Sequence, residues 1–151
     1  MSILVFIENA DGAIKNSSLE AVSYASAMSN GEEVAAIVFG NIENQALEAA
    51  GKAGAAKVLH VDDSKLNMGV IQAYSSAIAQ AFEKENATTL VLAQSSIGDP
   101  VAASVSIKVG ASMATNVTEL PDTTDGFKVK RSIYTGKAFA VVDLSSDKKI
   151  I

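Results

Sequence analysis

The sequence predicts a three-layer α/β/α sandwich, with a parallel sheet of about five strands between two layers of helix and an antiparallel hairpin extending it. Three observations predict it. Up to residue 112, short apolar runs alternate with segments of helical periodicity. Turn or capping residues stand at the junctions between them. After residue 112 the rhythm changes, and two alternating runs follow around Tyr134-Thr135-Gly136-Lys137, which is a hairpin signature. Alternating short strands and helices build βαβ units, and these impose parallel pairing with right-handed crossovers.

The elements follow in order. "ILVFIE" at 3–8 is an unbroken apolar run, as a strand buried on both faces requires. "NADGAIKN" turns the chain at Asp11-Gly12. A helix then opens at "SSLE", where Ser17 as N-cap and Glu20 three residues on form a capping box. It runs through Leu19, Val22, Ala25 and Met28 and stops at Asn30-Gly31. The second strand is expected at 33–40, a short helix at 44–54 ending on Gly54, and the third strand at 56–63. Val70, Ile71, Tyr74, Ile78 and Phe82 recur at helical spacing within 68–86, and the fourth strand is expected at 88–94. Pro100 at a first helical position with Asp99 as cap opens the next helix. A strand is expected at 115–120, followed by the turn "PDTTDG" and the hairpin of "FKVKRSIY" with "KAFAVVDL". Domains rarely finish on a bare apolar pair, so Ile150-Ile151 reads as the start of a further strand or linker. The 151 residues are therefore expected to be a single domain at the front of a longer protein.

Composition narrows function. A net charge of −5 argues against a nucleic-acid binder, because phosphate affinity comes from clustered cations. The charge is uneven: residues 1–121 carry 6 basic and 13 acidic side chains, and residues 122–151 carry 6 and 4. The basic end reads either as a solvated hairpin or as a face steered towards an acidic partner. With no cysteine there are no disulfides, no thiol catalysis and no Cys-ligated metal, which suits a reducing interior. The N-terminal apolar run has no basic flank and is too short to be a signal peptide or a membrane span, so a soluble cytoplasmic protein without membrane insertion is expected.

The stretch "LVLAQSSIGDPVAASVSIKVGAS" at 90–112 runs strand, turn, helix, the order of many phosphate cradles. It has no lysine in the turn and only Gly98 there, so it is not a Walker loop. The turn after the first strand, "ENADGA", lacks the G-x-G-x-x-G fingerprint. The helix start at Asp99-Pro100 could attract an anion by its dipole, but Asp99 sets a carboxylate in that place. A hydrolytic triad from Ser95 or Ser96, His60 and Asp99 lacks its nucleophile elbow. His60 alone cannot make a His-based metal site, and the pairs Glu32-Glu33 and Asp62-Asp63 diverge because they are adjacent. The residues point to a scaffold, with no catalytic, metal or cofactor site of its own.

Four segments together resemble the N-terminal domain of the α subunit of electron transfer flavoprotein: "ILVFIENADGAIKNSSLEAV", "GKAGAAKVLHVDD", "LVLAQSSIGDPVAASVSIKVGASMATNVTEL" and "KVKRSIYTGKAFAVV". In that family the third usually carries A-x-S-x-x-G-K-D-x-x-P-R and the fourth R-P-x-Y-A-G-N-A. This chain has Gly98-Asp99 without the lysine and loses the arginine after Pro100. It keeps Arg131, Tyr134 and Gly136 but replaces the family's Pro and Asn. The resemblance implies a Rossmann-like, adenine-nucleotide alpha hydrolase-like sheet that carries no nucleotide and packs against a β subunit. It implies a heterodimeric carrier taking electrons from flavin dehydrogenases, such as the acyl-CoA dehydrogenases of fatty acid β-oxidation, to a quinone reductase of the respiratory chain. FAD would be held by a C-terminal domain beginning after Ile151, and AMP by the β subunit. Partner contact would fall on Ser95, Ser96 and Asp99 after the fourth strand and on Arg131, Tyr134 and Gly136 of the hairpin. Gly136 is also required wherever the turn needs φ > 0.

Two other readings stay open on the residues. A stand-alone nucleotide binder of the universal-stress-protein kind has this size and strand order but carries a G-x-x-G…G-[ST] phosphate run, where this chain has Ser95-Ser96-Ile97-Gly98-Asp99. A purely structural dimerisation domain would need no β subunit.

Overall fold

A computed structural model describes residues 2–151, and the apolar run expected at 3–8 is its first strand, β1 (Ser2–Ile7). Every residue of β1 is buried, Ile3, Val5 and Ile7 towards one face of the sheet and Leu4 and Phe6 towards the other. Asp11 (φ 51°) and Gly12 (φ 81°) both take left-handed backbone and fold β2 (Asn9–Ala10) against β3 (Ala13–Ile14), a two-residue hairpin of primed-turn geometry. Then come α1 (Asn16–Met28), β4 (Glu33–Phe39), α2 (Asn44–Lys52) and β5 (Lys57–Val61). A short 3₁₀ turn (Ser64–Met68) and Gly69 in left-handed backbone precede α3 (Ile71–Lys84), so this helix starts later than its periodicity suggests. The chain continues with β6 (Ala87–Leu92), α4 (Gly98–Val109), β7 (Ser112–Met113), β8 (Lys128–Ile133), β9 (Ala138–Asp143) and β10 (Lys149–Ile150).

The main sheet has the order β5-β4-β1-β6-β10-β7, and its pairings are parallel. α1 and α2 cover one face, where Val22, Ala25 and Ala50 meet Val5, Val34 and Val38. α3 and α4 cover the other, where Tyr74, Ile78, Phe82, Val101 and Val105 meet Leu4, Phe6, Ile37 and Phe39. The expected α/β/α sandwich is the observed one, with six strands in its sheet. The sixth is β10: of the terminal apolar pair, read as the start of a further strand or linker, Ile150 is fully buried and inserts between β6 and β7. β8 and β9 pair in the expected antiparallel hairpin, over a small core of Ala114, Val129 and Leu144.

Three local expectations are corrected. Ser17 does not cap α1. The helix begins at Asn16 with Lys15 at the N-cap position and no side-chain cap, because the neighbouring Ser18 is buried and its hydroxyl accepts from the Glu8 amide at 2.9 Å. Asp99 does not cap α4 and Pro100 is not its first residue. The helix starts at Gly98, and Ser95 Oγ accepts from the amides of Ile97 (3.2 Å) and Gly98 (2.7 Å). Residues 115–120 form no strand of the main sheet: after Ala114 the chain leaves that sheet and meets β8 through an isolated bridge, Val117 to Arg131. Asn116, in left-handed backbone (φ 58°), breaks the run.

Candidate functional site

In an open parallel sheet, ligands bind outside the carboxyl ends of the strands where the strand order reverses. Here that place lies between β1 and β6, since β1 is followed in sequence by its neighbour on one side and β6 joins it on the other. Glu8, the residue just after β1, stands there with only 5 % of its surface exposed. Its carboxylate pairs with Lys15 Nζ at 2.6 Å and accepts the Ser95 hydroxyl proton. Ser95 in turn accepts from the two amides at the start of α4. The donors that a helix start offers to a phosphate are therefore already engaged, and a fixed negative charge sits beside them.

Space agrees with charge. Phe39, Tyr74 and Ile97 close over Phe6 and Glu8, leaving a cavity of about 20 Å³. That is room for about one water and far below the several hundred Å³ of a nucleotide-sized pocket. The rings interlock: Phe39 and Tyr74 centroids lie 4.6 Å apart, and the Tyr74 hydroxyl donates to the Leu66 carbonyl at 2.5 Å. Burial raises the Tyr74 phenol above its ordinary value, and the Glu8 charge adds to this. Gly98 completes the closure. A Cβ at this position would press into the Ala93 carbonyl, so the glycine serves the chain's approach to itself. At the point between β1 and β6, the helix-start amides are therefore engaged within the chain and only about 20 Å³ stays open.

Wider concavities lie along the same edge: one of about 710 Å³ is lined by residues 9–12, 41–43, Asp62 and Asn67 after β1, β4 and β5, and two more flank β6. A cleft of about 320 Å³ runs between α1 and the ends of β6, β10 and β7, with Tyr24, Met113 and Ile151 in its walls and the carboxylates of Glu20 and Asp99 among its polar groups. Tyr24 donates to the Glu119 carbonyl at 2.9 Å, and burial pushes its phenol up to about 12. A shallower depression of about 660 Å³ is bounded by Arg131 and Tyr134 of the hairpin. Gln94, Asn116 and Val117 line both, so the loop after β6 and the hairpin meet at one wall.

The profile of the electron transfer flavoprotein domain matches residues 3–151. The chain belongs to that family. Among its relatives is the electron transfer flavoprotein subunit alpha of Bacillus subtilis, 27% identical over 149 residues, 98% of this chain and 45% of that protein. The subunit alpha of Syntrophomonas wolfei is 33% identical over 147 residues, 95% of this chain and 44% of that one. The chain thus spans less than half the length of either relative.

The electron transfer flavoprotein domain of this chain places the six residues singled out from the sequence unequally. Ser96 is exposed on the loop after β6 and Asp99 on the first turn of α4, whereas Ser95 is half-buried and turned inward to Glu8. Arg131 is half-buried, and Tyr134 and Gly136 stand exposed at the hairpin tip. Gly136 has φ 83°, as its turn requires, and Tyr134 (φ 50°) and Thr135 (φ 51°) share the left-handed region, which no turn motif announced. His60 is engaged elsewhere, its Nε2 lying 2.7 Å from the Gly40 carbonyl. Asp63 begins the 3₁₀ turn, accepting from the Lys65 amide at 2.9 Å, and Glu33 pairs with Lys57 at 3.5 Å. Among the described residues no cluster of three or more His, Cys, Asp or Glu could hold a metal, and no helix is long and apolar enough to cross a membrane. Sequence reasoning missed Glu8 and Lys15. A charged residue ending an apolar run looks like an ordinary strand terminus, and its partner Ser95 lies 87 positions away.

Proposed function

We propose that this chain is the N-terminal domain of an electron transfer flavoprotein α subunit and acts as the carrier's docking and framing module. The flavin that accepts electrons from dehydrogenases is held by polypeptide beyond these residues, and a β subunit docks on the face formed by the loop after β6 and the hairpin. In this reading Ser96, Asp99, Arg131, Tyr134 and Gly136 lie at the contact, and Ser95 acts through the loop it holds. The carrier works in the cytoplasm, relaying electrons from flavin dehydrogenases to the respiratory chain. One observation carries the proposal: the crevice where relatives of this fold class bind ligands is filled by Glu8, Ser95 and interlocked aromatic rings, leaving about 20 Å³. In this reading the domain's contribution is shape and surface.

The test is reconstitution. The chain, mixed with FAD and passed over a sizing column, is expected to elute colourless, whereas a preparation extended through its C-terminal continuation and joined to a β subunit elutes yellow. Stoichiometric flavin on residues 1–151 alone would refute the division of labour.

A further inference from the structure

Arg131 is the cation of β8 that has no acid. Lys128 pairs with Asp125 at 3.3 Å and Lys130 with Glu119 at 2.5 Å, but no carboxylate of the described residues lies within ion-pairing distance of Arg131. Its Nη2 donates to Thr115 Oγ1 at 3.0 Å, while its Nε is buried and meets no acceptor. A buried donor without an acceptor is costly, and an acceptor brought by a partner would relieve the guanidinium. The guanidinium borders the depression of about 660 Å³, in whose walls Gln94, Asn116 and Ser132 supply further polar groups. The Nε edge is sealed, so the terminal nitrogens are what the guanidinium offers, and this end of the planar fork matches the two oxygens of a carboxylate.

We infer that this depression receives the carboxylate of an Asp or Glu side chain on the surface of a docked protein. The inference rests on the docking role proposed above and names the chemistry of the partner at one point of that contact. The depression is open and shallow, and an isolated ion there would keep its hydration and gain little from an exposed charge. A covering protein surface removes that water and strengthens the pair. The rim is built for such a cover. Tyr134 is 79% exposed, and three consecutive left-handed residues, Tyr134, Thr135 and Gly136, hold the tip. Bulky side chains rarely take this backbone, and strain of this kind gathers at binding elements. Exposed Tyr beside Arg is the composition of interface anchors. Because the whole chain is at −5, the attraction is local, confined to about a Debye length of 8–10 Å.

The experiment is titration calorimetry of the chain and its Arg131→Gln and Arg131→Lys variants against the cognate electron transfer flavoprotein β subunit, at low salt and at about 0.5 M salt. Wild-type chain is expected to bind. Arg131→Gln should weaken binding at least about tenfold, and Arg131→Lys should recover only part, because an ammonium cannot supply the fork. The gap between variants should narrow in high salt. Thermal melts of both variants, compared with wild type, keep a folding defect from being read as a contact. Binding of Arg131→Gln within twofold of wild type would overturn the inference and leave the docking role intact. Failure of the wild-type chain to bind would remove the docking role and this inference with it. A parallel NMR titration of the Arg131 Nε–H signal with acetate separates the remaining case: saturation by free acetate, with no effect of Arg131→Gln on β-subunit binding, would make this a small-ion site and overturn the protein-borne carboxylate.

Discussion

At Gly98 the backbone passes so close to the Ala93 carbonyl that a single methyl group would press into it. The contact is with main chain and cannot be relieved by a rotamer change, so Gly98→Ala is expected to destabilise the fold by about 1–3 kcal/mol in denaturant titration. The same turn brings Ser95 to Glu8, so a strand–turn–helix segment with the order of a phosphate cradle is occupied by the chain's own groups. None of this was legible locally. Ser95-Ser96 and Asp99-Pro100 spell an ordinary helix start, and Asp99 looked like the cap. The actual acceptor is set by a contact to the end of β1, and long-range partners leave no mark in a short window of sequence. Ser17 misled for the same reason, since the buried hydroxyl of Ser18 serves the Glu8 amide.

At the scale of elements, the strands could be read because burial on both faces leaves continuous apolar runs, as in β1, β4 and β6. The hairpin could be read from alternation, but the handedness of its tip could not. Thr135 (φ 51°) strains a β-branched residue, and Gly136 (φ 83°) relieves what any other residue would suffer. Opposite outcomes are therefore expected at neighbouring positions: Thr135→Gly gains about 0.5 kcal/mol after the larger entropy of its unfolded chain is counted, and Gly136→Ala loses about 1 kcal/mol. Thermal melts of both variants check this. α1 is tied to the segment before the hairpin by Tyr24, whose hydroxyl reaches the Glu119 carbonyl. Burial lifts that phenol from 10.0 to about 12, so the folded state holds its proton more tightly than the unfolded chain does. The associated stability is complete below pH 10 and is lost as pH rises towards 12. Tyr24→Phe should flatten this alkaline decline, at a cost of about 1 kcal/mol near neutrality for the lost hydrogen bond, measured by urea unfolding across pH.

At the scale of the molecule, the last strand joins the body of the sheet to its edge strand β7. Ile150 is fully buried between β6 and β7, and the Ile151 amide donates to the Leu90 carbonyl at 3.0 Å. Ile150→Ala should cost about 2–5 kcal/mol, with hydrogen exchange rising first along β7, which loses its neighbour. The place of β10 also explains why a strand at 115–120 was expected and not found. The position beside β6 is taken by residues from the far end of the chain, and residues after Ala114 pass to the hairpin. Sheet, helices and hairpin form a platform whose crevice between β1 and β6 is filled from within, beside a wall where loop and hairpin meet. That closure is tested most directly by calorimetric titration of the chain with AMP and with ATP. No saturable heat is expected with either nucleotide, and tight one-to-one binding of either would contradict the account.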